Sequence, residues 1–366
     1  MKSNYDVLGN YIRLIDTRNR ESITDRVLGI NIDKFFMPSV ANVIGTDLSK
    51  YKLITKGKFA CNPMHVGRDE RLPVALYDEE EPAIVSPAYF MFEVIDNSIL
   101  NEDYLMMWFR RPEFDRICWL HTDGSVRGGI TWDDICRLEL PIPPIEKQLE
   151  IVNSYKAITE RIVLKQKIND NLDATIYAKF QDMFQKNKEI LFSGEQLEDW
   201  CIKPLSFLAD FKYGKMATSE ILCEKGFPVY SGYRTVGYCN KYMFKEPQLV
   251  VLARGVSGTG EVRISPPCCH LTNLSIAVLL YDRTYINYLL YYLENDNLIS
   301  LDSGSAQSQI TINDLSMHKV MLPPYSKVVE FDNIAKQLRS IIDENNKEIE
   351  VLEELKKVLL TTISSR

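Results

Sequence analysis

Four histidines, at positions 65, 121, 270 and 318, and the run Cys268-Cys269-His270 are the first groups in the chain to test for chemistry. The histidines stand far apart in sequence, with neither a triad arrangement nor metal spacing. Adjacent ligands rarely fit a tetrahedral site, and no second ligand pair follows the Cys-Cys-His run, so it reads as buried thiols. Transfer of a group to a nucleobase amine would call for Asn or Asp ahead of Pro-Pro-Tyr, and Leu322 stands there instead. Glu354 and Lys356 have a spacing found in nucleases, but they fall in a stretch of helical periodicity, where charge pairs are usually a solvated face. The glycine-rich "ARGVSGTGE", residues 253–261, resembles a phosphate cradle yet lacks the Gly-Lys-Ser/Thr ending of a nucleotide loop. Catalysis by this chain alone is not expected, and no metal site is assigned.

The remaining chemistry is that of recognising a nucleic acid. Reading a base edge takes Arg or Lys toward guanine and Asn or Gln toward adenine, whereas phosphates need only local cations. The densest basic run, "KYKLITKGKFACNPMHVGRDER", offers Lys56, Lys58, Asn62, His65, Arg68 and Arg71, with Lys50 and Lys52 before them. A solvated turn with lysines at strand edges would look the same. Further along, "YSGYRTVGY" combines Tyr230, Tyr233, Arg234 and Tyr238 with glycines that permit close backbone approach. These tyrosines are read either as base-contacting surface or as core. Lys215 precedes them, and Arg254, Ser257 and Thr259 follow on the glycine-rich loop. Arg127 and Gly129 stand against Gln307 and Gln309 at matching places of a repeat, where substitution would change a base preference without changing the scaffold.

That repeat organises the elements. "LPIPPIEKQLEIVNSYKAI", residues 140–158, is echoed by "VMLPPYSKVVEFDNIAKQL", residues 320–338. An offset of 180 positions aligns Gly124-Ser125 with Gly304-Ser305, Ile130-Thr131 with Ile310-Thr311, Asp134 with Asp314 and the Pro-Pro pairs, and continues without a gap to Leu172 and Leu352. Proline ends the extended piece before each pair and separates it from a helical stretch. In copy one Ile151, Tyr155, Ile158, Ile162, Leu172 and Ile176 recur at helical spacing; in copy two Ile334, Leu338, Ile341, Asn345, Leu352, Leu355 and Leu359 do so. Each is an apolar stripe close to a coiled-coil seam on a rod of about 60 Å. Two equivalent rods, each marginal alone, are expected to pair with each other. Copy two departs from copy one at Met321 for Pro141, Val328 for Gln148 and Asp332 for Val152, so the two rods are not expected to be used identically.

The passages ahead of the rods are rich in short β runs broken by turn residues, such as "AIVSPAYFMFEVID". Little aligns between them except their ends. The expected layout is therefore 1–143 as a first variable domain, 144–190 as a long helix, 191–323 as a second variable domain and 324–366 as a second long helix. The length of 366 residues fits several domains, and a net charge of −7 argues against a generic basic binder of nucleic acid. Eight scattered cysteines with no C-x-x-C, no apolar run long enough to span a bilayer and no leader-like N-terminus lead to an expectation of a cytoplasmic protein.

The arrangement resembles the specificity subunit of type I restriction-modification systems, over the whole chain. The matching segments are "LPIPPIEKQLEIV" with its echo, "FPVYSGYRTVGYCNKYMF", "VVLARGVSGTGEV" and "KGKFACNPMHVGRDE". The resemblance implies an α+β fold with two β-rich target-recognition domains separated by two long antiparallel coiled-coil helices, pseudo-twofold by internal repeat. It implies that each recognition domain reads one half of a bipartite site in double-stranded DNA, while the paired helices set the unread spacer. It also implies docking of two modification (methyltransferase) subunits, which carry S-adenosylmethionine, and of restriction/translocase subunits using ATP and Mg, in a system of phage defence. The alternative is a non-catalytic coiled-coil scaffold that assembles proteins without reading sequence.

Overall fold

The computed structural model describes residues 5–41, 43–64, 66–122, 128–192, 197–255, 258–301 and 309–363. The chain divides into two compact units, one made of Met1–Lys165 with Lys347–Arg366 and one of Gln166–Asn346. Each therefore owns one head and a piece of both long helices.

In the first unit, Tyr5–Val7 pairs antiparallel with Glu139–Pro141, closing the head where the chain leaves it. A four-stranded sheet follows in the order Ile12–Leu14, Phe90–Val94, Phe59–Cys61, Val74–Leu76, antiparallel throughout. A second sheet runs Phe36–Pro38, Val27–Ile30, Ala83–Val85, Lys52–Ile54, with its central pair parallel. Phe59 and Phe92 stack at 5.0 Å, and Phe109 of the helix Glu102–Phe109 meets both edge-on, which fixes that helix to the first sheet.

The second unit repeats this plan with different residues. Cys201–Pro204 pairs with Lys319–Leu322, and one sheet runs Ala209–Tyr213, Ser275–Leu280, Leu249–Leu252, Val262–Ile264. The other runs Leu222–Cys223, Thr235–Cys239, Phe227–Tyr230, His270–Leu271, again with one parallel pair. The two secondary sheets differ at their edges: Lys52–Ile54 adds beside the parallel pair in one, Leu222–Cys223 outside the hairpin in the other. Helix Tyr285–Glu294 takes the place of Glu102–Phe109. Tyr104 donates to the Pro141 carbonyl at 3.1 Å and Tyr288 to the Met321 carbonyl at 2.7 Å, so corresponding tyrosines tie each helix to the strand before the Pro-Pro pair.

The repeated Thr-x-x-Asp explains the turn ahead of that strand. Thr131 accepts from the Asp134 amide at 3.2 Å while the Asp134 carboxylate accepts from the Thr131 amide, a capping box that starts the helix Trp132–Cys136. Thr311 caps Ile312–Met317 on Asp314 in the same way at its amide.

The long helices are Ile145–Phe180, continued through a π turn at Gln181–Gln185 to Phe192, and Tyr325–Thr362. The wider turn brings Phe180 and Phe184 onto one face, both buried against Tyr288 and Phe331. In the first unit Val152 and Tyr155 share a core with Leu359, Leu360 and Ile363; in the second Ile176 and Phe180 share one with Val328, Phe331, Ala335 and Leu338. The start of one helix thus meets the end of the other within each unit, an antiparallel pairing. Gln148, Tyr155, Ile162, Asn169 and Ile176, seven residues apart, form a buried line along the first helix, joined by Val152 and Phe180 near its ends.

Two expected seam residues lie outside it. Ile341 is 44% and Leu355 50% exposed. On the second helix the buried line through Phe331, Leu338, Asn345 and Leu352 widens on its i+4 side, through Ala335 and Ile342, and leaves the i+3 positions 341 and 355 facing away. Ile151, Ile158, Leu172 and Leu359 are half-buried, and Ile162 and Leu352 buried.

Candidate nucleic-acid interface and helix-side clefts

The basic run of the first unit is laid over carboxylates. Lys56 pairs with Glu80, and Lys58 with Glu93, whose carboxylate also takes Arg13 at 2.6 Å. Arg71 meets Asp33 at 2.9 Å. Lys52 is buried and donates to the Tyr89 carbonyl at 2.7 Å, and burial pulls its pKa down despite nearby Asp16. Asn62 accepts from the Met64 amide and shapes the turn. Exposed pairs such as Lys56–Glu80 are screened by water and contribute little to stability. His65 and Arg127 lie outside the described residues, as do Ser257, Gln307 and the side chain of Arg68.

Beside this run, and unmarked by any motif, is a cleft of about 750 Å³ lined by Lys34, Arg71, Arg110, Arg116, Asp115 and Trp119 among others. Lys34 adopts a left-handed backbone (φ 67°) and is buried, donating to Asp115 at 2.6 Å and to the Leu72 carbonyl at 2.7 Å over the ring of Phe114. A buried lysine needs such partners; nothing in "NIDKFF" announces them.

In the second unit the hairpin Phe227–Tyr230 and Thr235–Cys239 presents Tyr233, half exposed, with the Arg234 guanidinium 5.4 Å above its ring. Tyr238 and Tyr242 are exposed on the same segment, and Lys215 is exposed. Gly232 is required at the turn: its φ is 84°, and a Cβ would sit 2.5 Å from Ser275 Oγ. Two expected contacts are withdrawn by burial. Tyr230 is 8% exposed in a small core with Phe244, Cys269 and Leu271, and burial raises its pKa; alternation along the strand turns it inward while Tyr233, past the turn, faces out. Thr259 is 7% exposed, with its hydroxyl toward the Gly255 carbonyl. Arg254 lies over the Tyr213 ring at 5.7 Å, and its backbone bridges to Gln309, which brings together two candidates far apart in sequence.

Each unit also holds a cleft against the long helices. That of the first, about 350 Å³, is lined by Leu76, Met107, Arg110, Val152, Tyr155 and Lys156 among others, with Arg110 over the Tyr155 ring at 5.9 Å. That of the second, about 480 Å³, has Ile264, Tyr291, Glu294, Asp173, Arg263 and Arg339, with Arg339 over the Tyr291 ring at 5.6 Å and donating to its hydroxyl at 2.9 Å. Both lie where an outer strand end, the head helix and the long helices meet. The arginine–tyrosine stack is exchanged between them: arginine follows the head helix in one and comes from the long helix in the other. Burial raises the pKa of Glu294 and Asp173 in the second cleft.

The departures of the second copy are compensated locally. Gln148, fully buried, donates to the Ile99 and Pro143 carbonyls and accepts from the Asn101 amide. Val328 at the equivalent place is in the core, and Asp332 instead accepts from Asn287 of the head helix at 2.8 Å and pairs with Lys336 at 2.5 Å.

Residues 197–356 match the family model described as the type I restriction modification DNA specificity domain. Over 99% of its length the chain is 25% identical to a putative type I restriction enzyme MjaX specificity subunit of Methanocaldococcus jannaschii, covering 88% of that protein. Its fold is similar to the crystal structure of a type I restriction-modification S subunit from M. genitalium, with TM-score 0.66 and 17% identity over 100% of this chain and 97% of the other. A chain solved in a structural account of complex assembly and conformational transition of the type I R-M system matches with TM-score 0.50 and 17% identity over 98% and 96%. By the domain in residues 197–356, by its relatives and by its fold, the chain is similar to type I restriction-modification specificity subunits.

Proposed function

We propose that the two units read the two halves of a bipartite duplex site, one each, and that the chain itself performs no chemistry. The observation that carries this is one head plan built twice, differing at the edge of its second sheet, with unlike exposed residues: ion-paired lysines and a charged cleft on one, a Tyr233–Arg234 hairpin and an exposed Lys215 on the other. A common frame holds position while the surface varies, as separate reading of two base sequences requires. Domains 1–143 and 191–323 are the readers, and the helices 144–190 and 324–366 set the spacer.

The paired clefts are the seats of two modification subunits, whose S-adenosylmethionine supplies the methyl group; restriction subunits with ATP and Mg complete the assembly. Two clefts at matching places in two repeated units favour two copies of one partner. The exposed Ile341 and Leu355 extend the helix surface available to them.

The chain co-purified with its modification subunit should protect one split sequence and direct methylation of an adenine in each half. Methylation that ignored sequence would leave only the scaffold reading.

A further inference from the structure

Among the described residues the seam positions of the long helices are apolar except at Gln148, whose amide bonds to the head of its own unit, and at one place in the second unit. In the second unit Asn169 and Asn345 are 8% and 7% exposed, and Asn345 Nδ2 donates to Asn169 Oδ1 at 2.8 Å. Asn169 Nδ2 in turn donates to Asn346 Oδ1 at 2.9 Å. Counting seven residues forward on the first helix and seven back on the second leads from Asn169–Asn345 to Ile176 and Leu338, which share the core of that unit. Counting the other way by two such steps leads to Tyr155 and Leu359, which share the core of the first. The same antiparallel register is therefore kept within each unit's own piece of the helix pair. In the first unit Glu348 takes Arg161 at 2.5 Å and Lys165 at 2.8 Å beside the seam.

Apolar seam residues tolerate sliding by a heptad, since most steps present another large apolar side chain such as Ile162, Ile176, Leu338 or Leu352. A buried amide does not. After a slide Asn169 would face Leu338 or Leu352 and Asn345 would face Ile162 or Ile176, leaving buried donors and acceptors unpaired. The internal repeat adds a second point. At the offset of 180 the equivalents of Asn169, Asn345 and Asn346 are Ile349, Lys165 and Gln166, so the amide contact breaks the chain's own symmetry. It exists only when the first helix meets the second in this one alignment.

We propose that Asn169, Asn345 and Asn346 are the register lock of the helix pair and the residues that confine the protein to a single spacer length. The proposal rests on the reading of two half-sites by two units. They are positioning residues, acting on DNA through the helices that carry them.

The test replaces the lock with Asn169→Leu and Asn345→Leu in the full chain bound to its modification subunit. Two readouts are taken. The first is the distance distribution between spin labels introduced bio-orthogonally at exposed Lys167 and Asp343, which needs no DNA. A single narrow distance in the native chain should gain a second, resolved population, the result of an axial slide of about 10 Å, one heptad of helix rise. The second is methylation of a target library in which fixed half-sites are separated by varied gaps. The native chain should use one gap, and the variant at least two with unchanged half-sites, at equal or higher thermal stability. Adding Ile162→Asn and Leu352→Asn moves the amide pair one heptad along the same register and should restore the single gap. An unchanged narrow distance would overturn the lock, and a second distance with an unchanged single gap would overturn its role in spacing. Loss of gap selection by the native chain itself would overturn the reading of two half-sites, and the role in spacing with it, while the distances still decide the lock.

Discussion

Lys34 and Tyr230 show how far a residue's type underdetermines its task. Lys34 has the look of a surface lysine in a polar turn, yet it is buried on Asp115, whose Oδ1 also accepts from the Leu72 amide. Asp115→Asn should cost about 3 kcal/mol, because it leaves a buried ammonium short of its counter-charge. Urea unfolding of the variant checks this. Tyr230 and Tyr233 lie three residues apart in "YSGYR", and the turn between them decides which becomes core and which becomes surface. Arg234→Ala should therefore relax preference in one half-site by about 1–3 kcal/mol if the guanidinium reads guanine, with the other half unchanged. Tyr230→Phe should leave preference in both halves as it was. Competition binding with single-base variants of each half separates these outcomes, and equal loss on every sequence would mark Arg234 as a phosphate contact.

The elements that the repeat could reach were legible. Ile130-Thr131 through Leu172, and their partners 180 residues on, define the caps, the strand before Pro-Pro and both long helices, because their spacing is kept without a gap; the repeated Gly-Ser pairs lie outside the described residues. The kinship of the two heads was not legible. Tyr104 and Tyr288 do the same work but sit four places out of that alignment, and loops of different length shift the strands further. The seam was half legible: the 3–4 alternation marks a stripe, but only packing decides whether it widens toward i+3 or i+4, which is why Ile341 and Leu355 fell outside. The shared caps give a paired prediction. Thr131→Ala and Thr311→Ala should each cost about 1 kcal/mol at neutral pH. The Thr131 hydroxyl, with the Thr131 amide, holds the Asp134 carboxyl below its ordinary range. A depressed carboxylate stabilises the fold above its unfolded value, near pH 4, and that contribution is lost as pH falls through the lower folded value. The gap between native chain and Thr131→Ala should accordingly close in acid, as thermal unfolding across pH 2–7 would record.

At the scale of the whole molecule the charge balance is the constraint. With a net charge of −7 and its most basic run laid over Glu80, Glu93 and Asp33, the chain has few cations to spend on phosphates. Binding by the isolated chain should be weak with a shallow dependence on salt, and the assembly with modification subunits should show a steeper slope as further phosphates are contacted. Equal slopes for both would mean that the partners add no phosphate contacts. The central claim is that two units read two separate words. It is tested most directly by mapping methylated adenines across the DNA of cells with and without this chain. A single motif in two parts, separated by a constant stretch of any sequence and present only with the chain, is predicted; an unbroken motif, or the same methylation without the chain, would contradict it.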